Sequence, residues 1–414
     1  MNNLWYSFRE LKNNLLFKII IIIQITIAIV LLYRVNELRS YETNKLKAMG
    51  EITNNKKIYK LVSEYESIDK FLEDKKIPNK FSNFSRSIQE RFTLVTTKYG
   101  EMTLKNFDGI EKFLDKDLQN AEVEEGYSLV NSLQCTSNFF EVFNIKLSDG
   151  SFDEFNKFTK INFLEWDEQC IPIILGDSYR KIFKLNEVIE TAHIKCRVVG
   201  FMNENQFILD KGIYDLCRVK NLNTFIVCPI PKNLMDANIN NAFLIVDNKT
   251  SDDFNFIKNY IDNLAEKQNV KLSITDPSEN ITNFVQALQY NANIKLIIIY
   301  FIVFFVTIGL IVIFTNSIST RRKEFSIHII HGATIKDICI RIILEHVFLV
   351  SLSTIFSFLY LIKNNVLIIT EIIRFEPKLF FQSALILIII VFLVSLIPIY
   401  YLKKYRLNYL IKGE

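Results

Sequence analysis

The sequence predicts a membrane protein with four transmembrane α-helices and a large extracytoplasmic α+β domain inserted between helices 1 and 2. The first observation is the position of the apolar segments, which lie at 15–33, 294–314, 342–362 and 379–402. The second is that residues 34–293 are polar and mixed, and form a stretch long enough to bury a core of its own. The third is composition, because half of the 414 residues are hydrophobic.

Each apolar segment approaches the ~20 residues that a helix needs to cross the hydrocarbon layer. The first segment is the shortest of the four. Only residues 19–33 of it carry no charge, and Gln24 interrupts them. Lys18 can extend its amine to the membrane surface, which lengthens the usable span back to Leu15. A cleaved signal peptide is the alternative. No cleavage site with small residues follows, so the sequence favours an uncleaved anchor.

Residues 1–17 place four apolar side chains at helical spacing, namely Leu4, Phe8, Leu11 and Leu15. This pattern predicts an amphipathic helix on the cytoplasmic membrane surface. The alternative is that these residues are simply the start of the first span.

Basic residues near the span ends predict the orientation. They are Arg9, Lys12 and Lys18 before the first span, Arg321, Arg322, Lys323, Lys336 and Arg341 between the second and third, and Lys403, Lys404, Arg406 and Lys412 after the fourth. We therefore expect a multi-pass protein of the cell membrane, in contact with its lipids. Both termini, the tail 403–414 and the turn 315–341 are expected in the cytoplasm, with the domain 34–293 and the link 363–378 outside. These flanks account for the net charge of +4, which gives no argument for binding nucleic acid.

Two long helices are expected to join the domain to the membrane. Residues 34–75 are charged and favour a helical stalk. A second helix begins after Asp276-Pro277 and runs from Ser278 to about Arg322, with no proline and with Gly309 as its only glycine. Its length exceeds what the bilayer requires, so part of it should project outside.

The domain itself alternates strand and helix patterns. The predicted strands are Ile171–Leu175, His193–Phe201, Ala242–Asp247 and Val270–Ile274, and the predicted helices are Ser178–Leu185 and Asp252–Gln268.

Patterns for catalysis and metal binding are missing. The sequence contains no phosphate-binding loop and none of the nucleophile or zinc-protease motifs. The six cysteines form no Cys-x-x-Cys pair, and five of them fall in the domain, where disulfides are possible but small buried residues are the favoured interpretation. We therefore predict no catalytic residue, no cofactor and no metal, and no enzyme activity in this chain. Any energy for work must come from another chain.

The segment after the second span carries a family likeness. It reads Arg321-Arg322-Lys323-Glu324-Phe325-Ser326-Ile327, then His331-Gly332-Ala333, Asp337-Ile338 and Leu344-Glu345. This order resembles, without a gap, the signature of the FtsX/MacB-like ABC transporter permeases. Residues 136–150, 171–183 and 198–201 look like the MacB-like periplasmic core of that family, and Ile397-Pro398 through Leu410 is similar to its end. Ser326 replaces a usual glycine, as do Ser353 and Ser357, which keep a small-x-x-x-small spacing that lets helices approach closely.

The resemblance implies a permease subunit that couples ATP hydrolysis in a separate ABC ATPase subunit to movement of its external domain. The implied activity is export of a peptide, lipoprotein or drug, and the alternative is a mechanotransducer that regulates an external cell-wall hydrolase without transport. The implied partners are the ATPase, which binds the ATP, a second permease copy or a homologous permease, and an external accessory protein. The implied ATPase-contacting residues are Arg321, Arg322, Lys323, Glu324, His331, Gly332, Ala333, Asp337 and Ile338. Helix packing is assigned to Glu345, Ser353 and Ser357. The three basic residues at 321–323 fit equally well as anchors at the membrane surface.

Overall fold

The computed structural model describes residues 15–53, 56–63, 77–115, 123–161, 170–211, 217–231, 242–247, 253–364, 366–368, 371–373 and 375–404. The chain divides into a membrane unit, Met1–Glu42 with Tyr290–Glu414, and an α+β unit, Thr43–Gln289. The amphipathic helix predicted at 1–17 lies outside the described residues up to position 14, and the tail lies outside them from position 405.

The described helices are α1 Leu15–Thr53, α2 Ile77–Gln89, α3 Phe139–Val142, α4 Asp153–Phe158, α5 Phe254–Gln268, α6 Ser278–Thr320, α7 Arg322–Ile330, α8 Ile335–Lys363 and α9 Pro377–Lys404. The described strands are β1 Lys56–Ser63, β2 Thr93–Lys105, β3 Tyr127–Cys135, β4 Leu147–Gly150, β5 Ile171–Leu175, β6 Val188–Glu190, β7 Lys195–Met202, β8 Phe207–Lys211, β9 Cys217–Asn221, β10 Ile226–Pro229, β11 Ala242–Asp247, β12 Leu272–Thr275, β13 Val366–Ile368 and β14 Glu371–Ile373. Short 3₁₀ helices cover Ile110–Lys112 and Asp177–Lys181.

Four helices of the described chain, α1, α6, α8 and α9, are long and apolar enough to cross a membrane. The α+β domain lies between the first and the second of them, so the predicted fold class is confirmed. One apolar cluster joins these helices, with Ile25 and Ile29 of α1, Phe314 of α6, Leu349 of α8 and Phe380 of α9 among its buried members. The link between α8 and α9 contains the hairpin of β13 and β14.

The helix predicted from Ser278 to about Arg322 is confirmed by α6, which is unbroken to Thr320. Its glycine has a packing role. A Cβ atom on Gly309 would lie 2.4 Å from the side-chain amide nitrogen of Gln24. The missing side chain of Gly309 therefore leaves room for the polar residue that interrupts the first span.

The predicted stalk at 34–75 is correct only in part. Helix α1 continues to Thr53, but residues 56–63 form strand β1, so the helical prediction is wrong there, and residues 64–75 lie outside the described residues. Strand β1 pairs with β11 on one side and β12 on the other. Pairing on both edges and burial of Tyr59 and Leu61 in the core outweigh the local helix propensity of this charged segment.

The α+β unit is built on one large sheet with the order β12-β1-β11-β2-β3-β10-β5-β7-β4, and β6 pairs with β7. Its first four strands are antiparallel and follow the chain order β1-α2-β2 and β11-α5-β12. This is the split βαβ arrangement of ferredoxin-like folds. Helices α2 and α5 bury Phe81, Phe84 and Ile261 in one core with those strands. The segment between β2 and β11 extends the same sheet with a second core.

Most predicted elements of the domain are confirmed. Strands β5 and β11 have the predicted bounds, and β7, β12 and α5 differ by at most two residues at either end. The helix predicted at Ser178–Leu185 is wrong, because only a short 3₁₀ helix forms. The Asn186 amide donates to the Val198 carbonyl and Asn186 has φ 64°, which turns the chain away from a helix.

The cysteines whose side chains are described carry free thiols. Cys135, Cys196 and Cys228 are buried in the sheet. Burial raises the pKa of the Cys196 thiol to about 12, and raises those of Cys135 and Cys228 well above the ordinary value. These thiols are therefore protonated and act as small apolar residues.

We expect Gly150→Ala to destabilise the α+β unit. Gly150 has φ +88°, and a Cβ atom there would lie 2.2 Å from the Val199 carbonyl oxygen on β7. Backbone strain and the clash should together cost about 2 kcal/mol or more. Thermal unfolding of the full chain, followed by circular dichroism, measures the effect.

The matched control is Gly126→Ala. Gly126 has the same φ of +88°, but no atom lies within 4 Å of its Cβ position, so it isolates the backbone strain. Equal midpoints for the two variants would contradict a steric role for Gly150.

Candidate functional site

The predicted cytoplasmic turn at 315–341 consists largely of helix. Helix α6 ends at Thr320, Arg321 leads into α7, and α8 begins at Ile335. Arg322, Lys323 and Glu324 form the first turn of α7. His331, Gly332 and Ala333 connect α7 to α8, and Asp337 and Ile338 lie in the first turn of α8.

The connection between α7 and α8 is a tight helix ending. The Gly332 amide donates to the Ile329 carbonyl at 2.9 Å, and the Ala333 amide donates to the His328 carbonyl at 3.0 Å. Gly332 has φ +93°, a conformation that side chains resist. These two bonds and the left-handed glycine form a Schellman motif, so the sequence requires glycine here for a backbone reason.

The start of α8 is capped by Thr334 and Asp337. The Asp337 amide donates to Thr334 Oγ1 at 3.2 Å, and the Thr334 amide donates to Asp337 Oδ2 at 2.9 Å, which forms a capping box. Ile338 is buried against Phe325 of α7 and Ile342 of α8. Asp337 and Ile338 therefore hold α7 at a defined angle to α8.

A buried ionic cluster lies behind α7. Arg321 Nη1 donates to Glu345 Oε2 at 2.7 Å, and its Nε and Nη2 donate to the two carboxylate oxygens of Glu324 at 2.9 and 3.1 Å. Lys18 Nζ lies 2.9 Å from Glu345 Oε1. The cluster, defined as Lys18, Arg321, Glu324 and Glu345, joins α1, the α6–α7 junction and α8.

The charges of this cluster balance. Two cations face two carboxylates, and the side chains of Lys18, Glu345 and Arg321 are only 10%, 9% and 13% exposed. Burial alone lowers the pKa of Arg321, but the hydrogen bonds and charges of Glu324 and Glu345 outweigh it and raise that pKa above its ordinary value. Removing one partner from such a pair typically costs about 3–5 kcal/mol, because a buried charge is left uncompensated.

His328 lies 4.0 Å from Glu324 on α7. Burial and then the positive charge of Arg341 lower the pKa of His328, against the opposing effect of Glu324. Its imidazole is therefore neutral at pH 7, and Arg321 is the stronger partner of Glu324.

One face of α7 carries exposed apolar side chains. Ile327 is 55% exposed and Ile330 is 64% exposed, and Lys323, His331 and Gly332 are exposed beside them. Phe325 lies on the opposite side of α7 and packs against Ile338, and Ser326 is buried at the flank of the helix. Helix α7 is therefore packed against the rest of the chain on one side and exposes apolar side chains on another, which is typical of a docking surface.

The serines assigned to helix packing lie between α1 and α8, and both are fully buried. Ser353 Oγ lies 3.2 Å from the Ile22 carbonyl oxygen, and Ser357 Oγ lies 3.3 Å from that of Thr26. Each hydroxyl also approaches a carbonyl of its own helix, of Leu349 and Ser353 respectively. Ser326 is buried and its hydroxyl donates to the Arg322 carbonyl at 2.9 Å.

Lys18, which was predicted to extend its amine to the membrane surface, instead contacts Glu345. The available signal was that Lys18 and Glu345 are opposite charges inside two apolar segments, where each needs a partner. No group of three metal-ligating side chains occurs among the described residues.

Residues 296–407 match the family model described as FtsX-like permease C-terminal. No curated protein matches the chain. Among solved structures, the chain is similar to a domain of a protein named as a permease from Porphyromonas gingivalis, with 10% identity, a TM-score of 0.30, and coverage of 54% of this chain and 90% of that one. It is also similar to the extracellular domain of the noncanonic ABC-type transporter YknZ from Gram-positive bacteria, with 10% identity, a TM-score of 0.29, and coverage of 53% and 100%.

We expect Gly332→Val to open the connection between α7 and α8. A β-branched residue at φ +93° is strained by about 1–3 kcal/mol, whereas Gly332→Asn should be tolerated better. No atom lies within 4 Å of the Cβ position, so the strain arises in the backbone alone. The measurement is the rate of trypsin cleavage at Lys323 and Lys336 in the full chain. Equal rates for the native chain and the valine variant would contradict this role of the glycine.

Proposed function

We propose that this chain is the permease subunit of an ABC transporter whose ATPase is a separate subunit, because residues 296–407 match the FtsX-like permease C-terminal model. ATP hydrolysis in that subunit moves the α+β unit, and the movement exports or extrudes a peptide, lipoprotein or drug. The absence of a phosphate-binding loop from the sequence supports the assignment of ATP binding to the partner.

The observation that carries the proposal is the exposed apolar face of α7. Ile327 and Ile330 can enter an apolar cleft of the ATPase, and Lys323 can meet a carboxylate at the rim of that cleft. Docking surfaces require a rigid support. Here the packing of Phe325 against Ile338, the helix cap of α8 and the ion pair of Arg321 with Glu324 supply it.

Two continuous helices support coupling to the α+β unit. Helix α1 contains residues of both units, since its last residues from Thr43 onward belong to the α+β unit. Helix α6 likewise begins in the α+β unit and continues into the membrane unit at Tyr290. An uninterrupted helix is stiff, so a displacement at its cytoplasmic end is passed along its length.

We assign the contact with a second permease copy to α6. In the most apolar stretch of 18 residues of α6, only 6% of the residues are buried within the chain. The corresponding share is 33% in α1 and 39% in each of α8 and α9. Large aromatic side chains, among them Phe301, Phe304 and Phe305, are exposed on it. Lipids cover this face in the isolated chain, and a second copy covers part of it in the assembled transporter.

We expect Ile330→Asp, and likewise Ile327→Asp, to weaken ATPase binding. A charge in an apolar interface removes the burial of a large side chain, so affinity should fall at least about tenfold. Co-purification of the ATPase with the full chain measures it. The control is Ile194→Asp, an exposed isoleucine of the α+β unit. Undiminished ATPase binding by both α7 variants would remove α7 from the interface.

We also expect both termini in the cytoplasm. Single cysteines at Asn14 and Lys412 of a cysteine-free variant should resist an impermeant thiol reagent in intact cells, and cysteines at Lys157 and Asn364 should react. Lys157 and Asn364 are exposed, so a lack of reaction there reports sidedness. Labelling at Lys412, or protection at both Lys157 and Asn364, would reverse the orientation.

A further inference from the structure

Lys18 contacts Glu345 of the ionic cluster, although it lies more than 300 positions before Arg321 and Glu345 in the sequence. Its Nζ atom lies 2.9 Å from Glu345 Oε1, and the other oxygen of that carboxylate accepts from Arg321 at 2.7 Å. Glu345 thus bridges the base of α1 to the residue that introduces α7. All three side chains are largely buried, so water does not screen these contacts.

A lysine that only anchors a helix at the membrane surface would have a different environment. Its amine would be exposed to headgroups and water, and an arginine or another lysine nearby could replace it. Lys18 is instead 8% exposed as a whole residue and contacts a specific carboxylate. The geometry therefore separates Lys18 from the other basic residues of the N-terminal flank.

We propose that Lys18 is a positioning residue that couples α7 to α1 through Glu345. The inference rests on the proposed function, because α7 is the helix assigned to ATPase docking. When docking or ATP binding displaces α7, Arg321 moves with it and displaces the Glu345 carboxylate through the hydrogen bond between them. Lys18 then transfers this displacement to α1, which is one helix from Leu15 to Thr53.

This route adds a second path beside α6, which is joined to α7 directly by the chain. The path through α6 depends on covalent continuity, whereas the path through α1 depends on two charged contacts. The two can be separated by mutation, because Lys18 can be changed without altering α6, α7 or the exposed face of α7.

The experiment uses the full chain in lipid nanodiscs with the ABC ATPase that co-purifies with it. Spin labels are placed on a cysteine-free variant at Lys47 of α1 and Lys378 of α9, which are both exposed. Pulsed electron paramagnetic resonance measures their separation without nucleotide and with a non-hydrolysable ATP analogue. We expect the analogue to shift the distance distribution in the parent chain.

In Lys18→Met we expect ATPase co-purification to remain and the nucleotide-dependent shift to fall below half of its parent value. Lys18→Arg should restore most of the shift, because it keeps a cation near Glu345. The matched control is Lys12→Met, which removes a positive charge from the same flank of the sequence. A full shift in Lys18→Met would overturn the inference.

A second variant covers the case in which Lys18→Met fails to fold because Glu345 loses one of its cations. Lys18→Met/Glu345→Gln removes both charges and leaves Arg321 paired with Glu324. If this variant folds and binds the ATPase but lacks the shift, the coupling role holds; if it keeps the shift, Lys18 is structural and the inference is wrong. Failure of the parent chain to bind any ATPase would instead defeat the proposed function, and this inference with it.

Discussion

The membrane unit depends on one buried carboxylate held between two cations. Glu345 lies in an apolar helix, where an unpaired charge is unfavourable, and Arg321 and Lys18 neutralise it from two other segments. This requirement places the start of α1 and the junction of α6 and α7 against α8. The orientation of α7, and therefore of its exposed isoleucines, follows from the contacts of Arg321 together with the packing of Ile338 and Phe325.

Much of this architecture could be predicted from the sequence. Apolar length predicted the four spanning helices, the absence of proline predicted the unbroken α6, and the outward-facing Lys195 and Arg197 predicted β7. These features depend on local composition, so a single sequence contains them. The glycine at position 332 was also recognisable, because its left-handed conformation is a property of one residue and its neighbours.

The failures share a different physical origin. Strand β1 was predicted as helix because its pairing partners, β11 and β12, lie far away in sequence. Lys18 was interpreted alone because its partner lies on another helix. The seryl contacts between α1 and α8 could be anticipated as close packing, but not as hydroxyl groups facing the carbonyls of the opposite helix. In each of these cases the structure depends on contacts between residues that are far apart in sequence, which local sequence patterns cannot predict.

The length of α1 has a mechanical consequence. From Lys18 to Thr53 the helix advances about 52 Å at its usual rise per residue. A lever of that length magnifies small rotations, so that tilting its base by about 5° would displace its tip by roughly 4–5 Å. A small rearrangement of the buried ion pairs that tilts the base of α1 would therefore move its far end by about the width of a side chain.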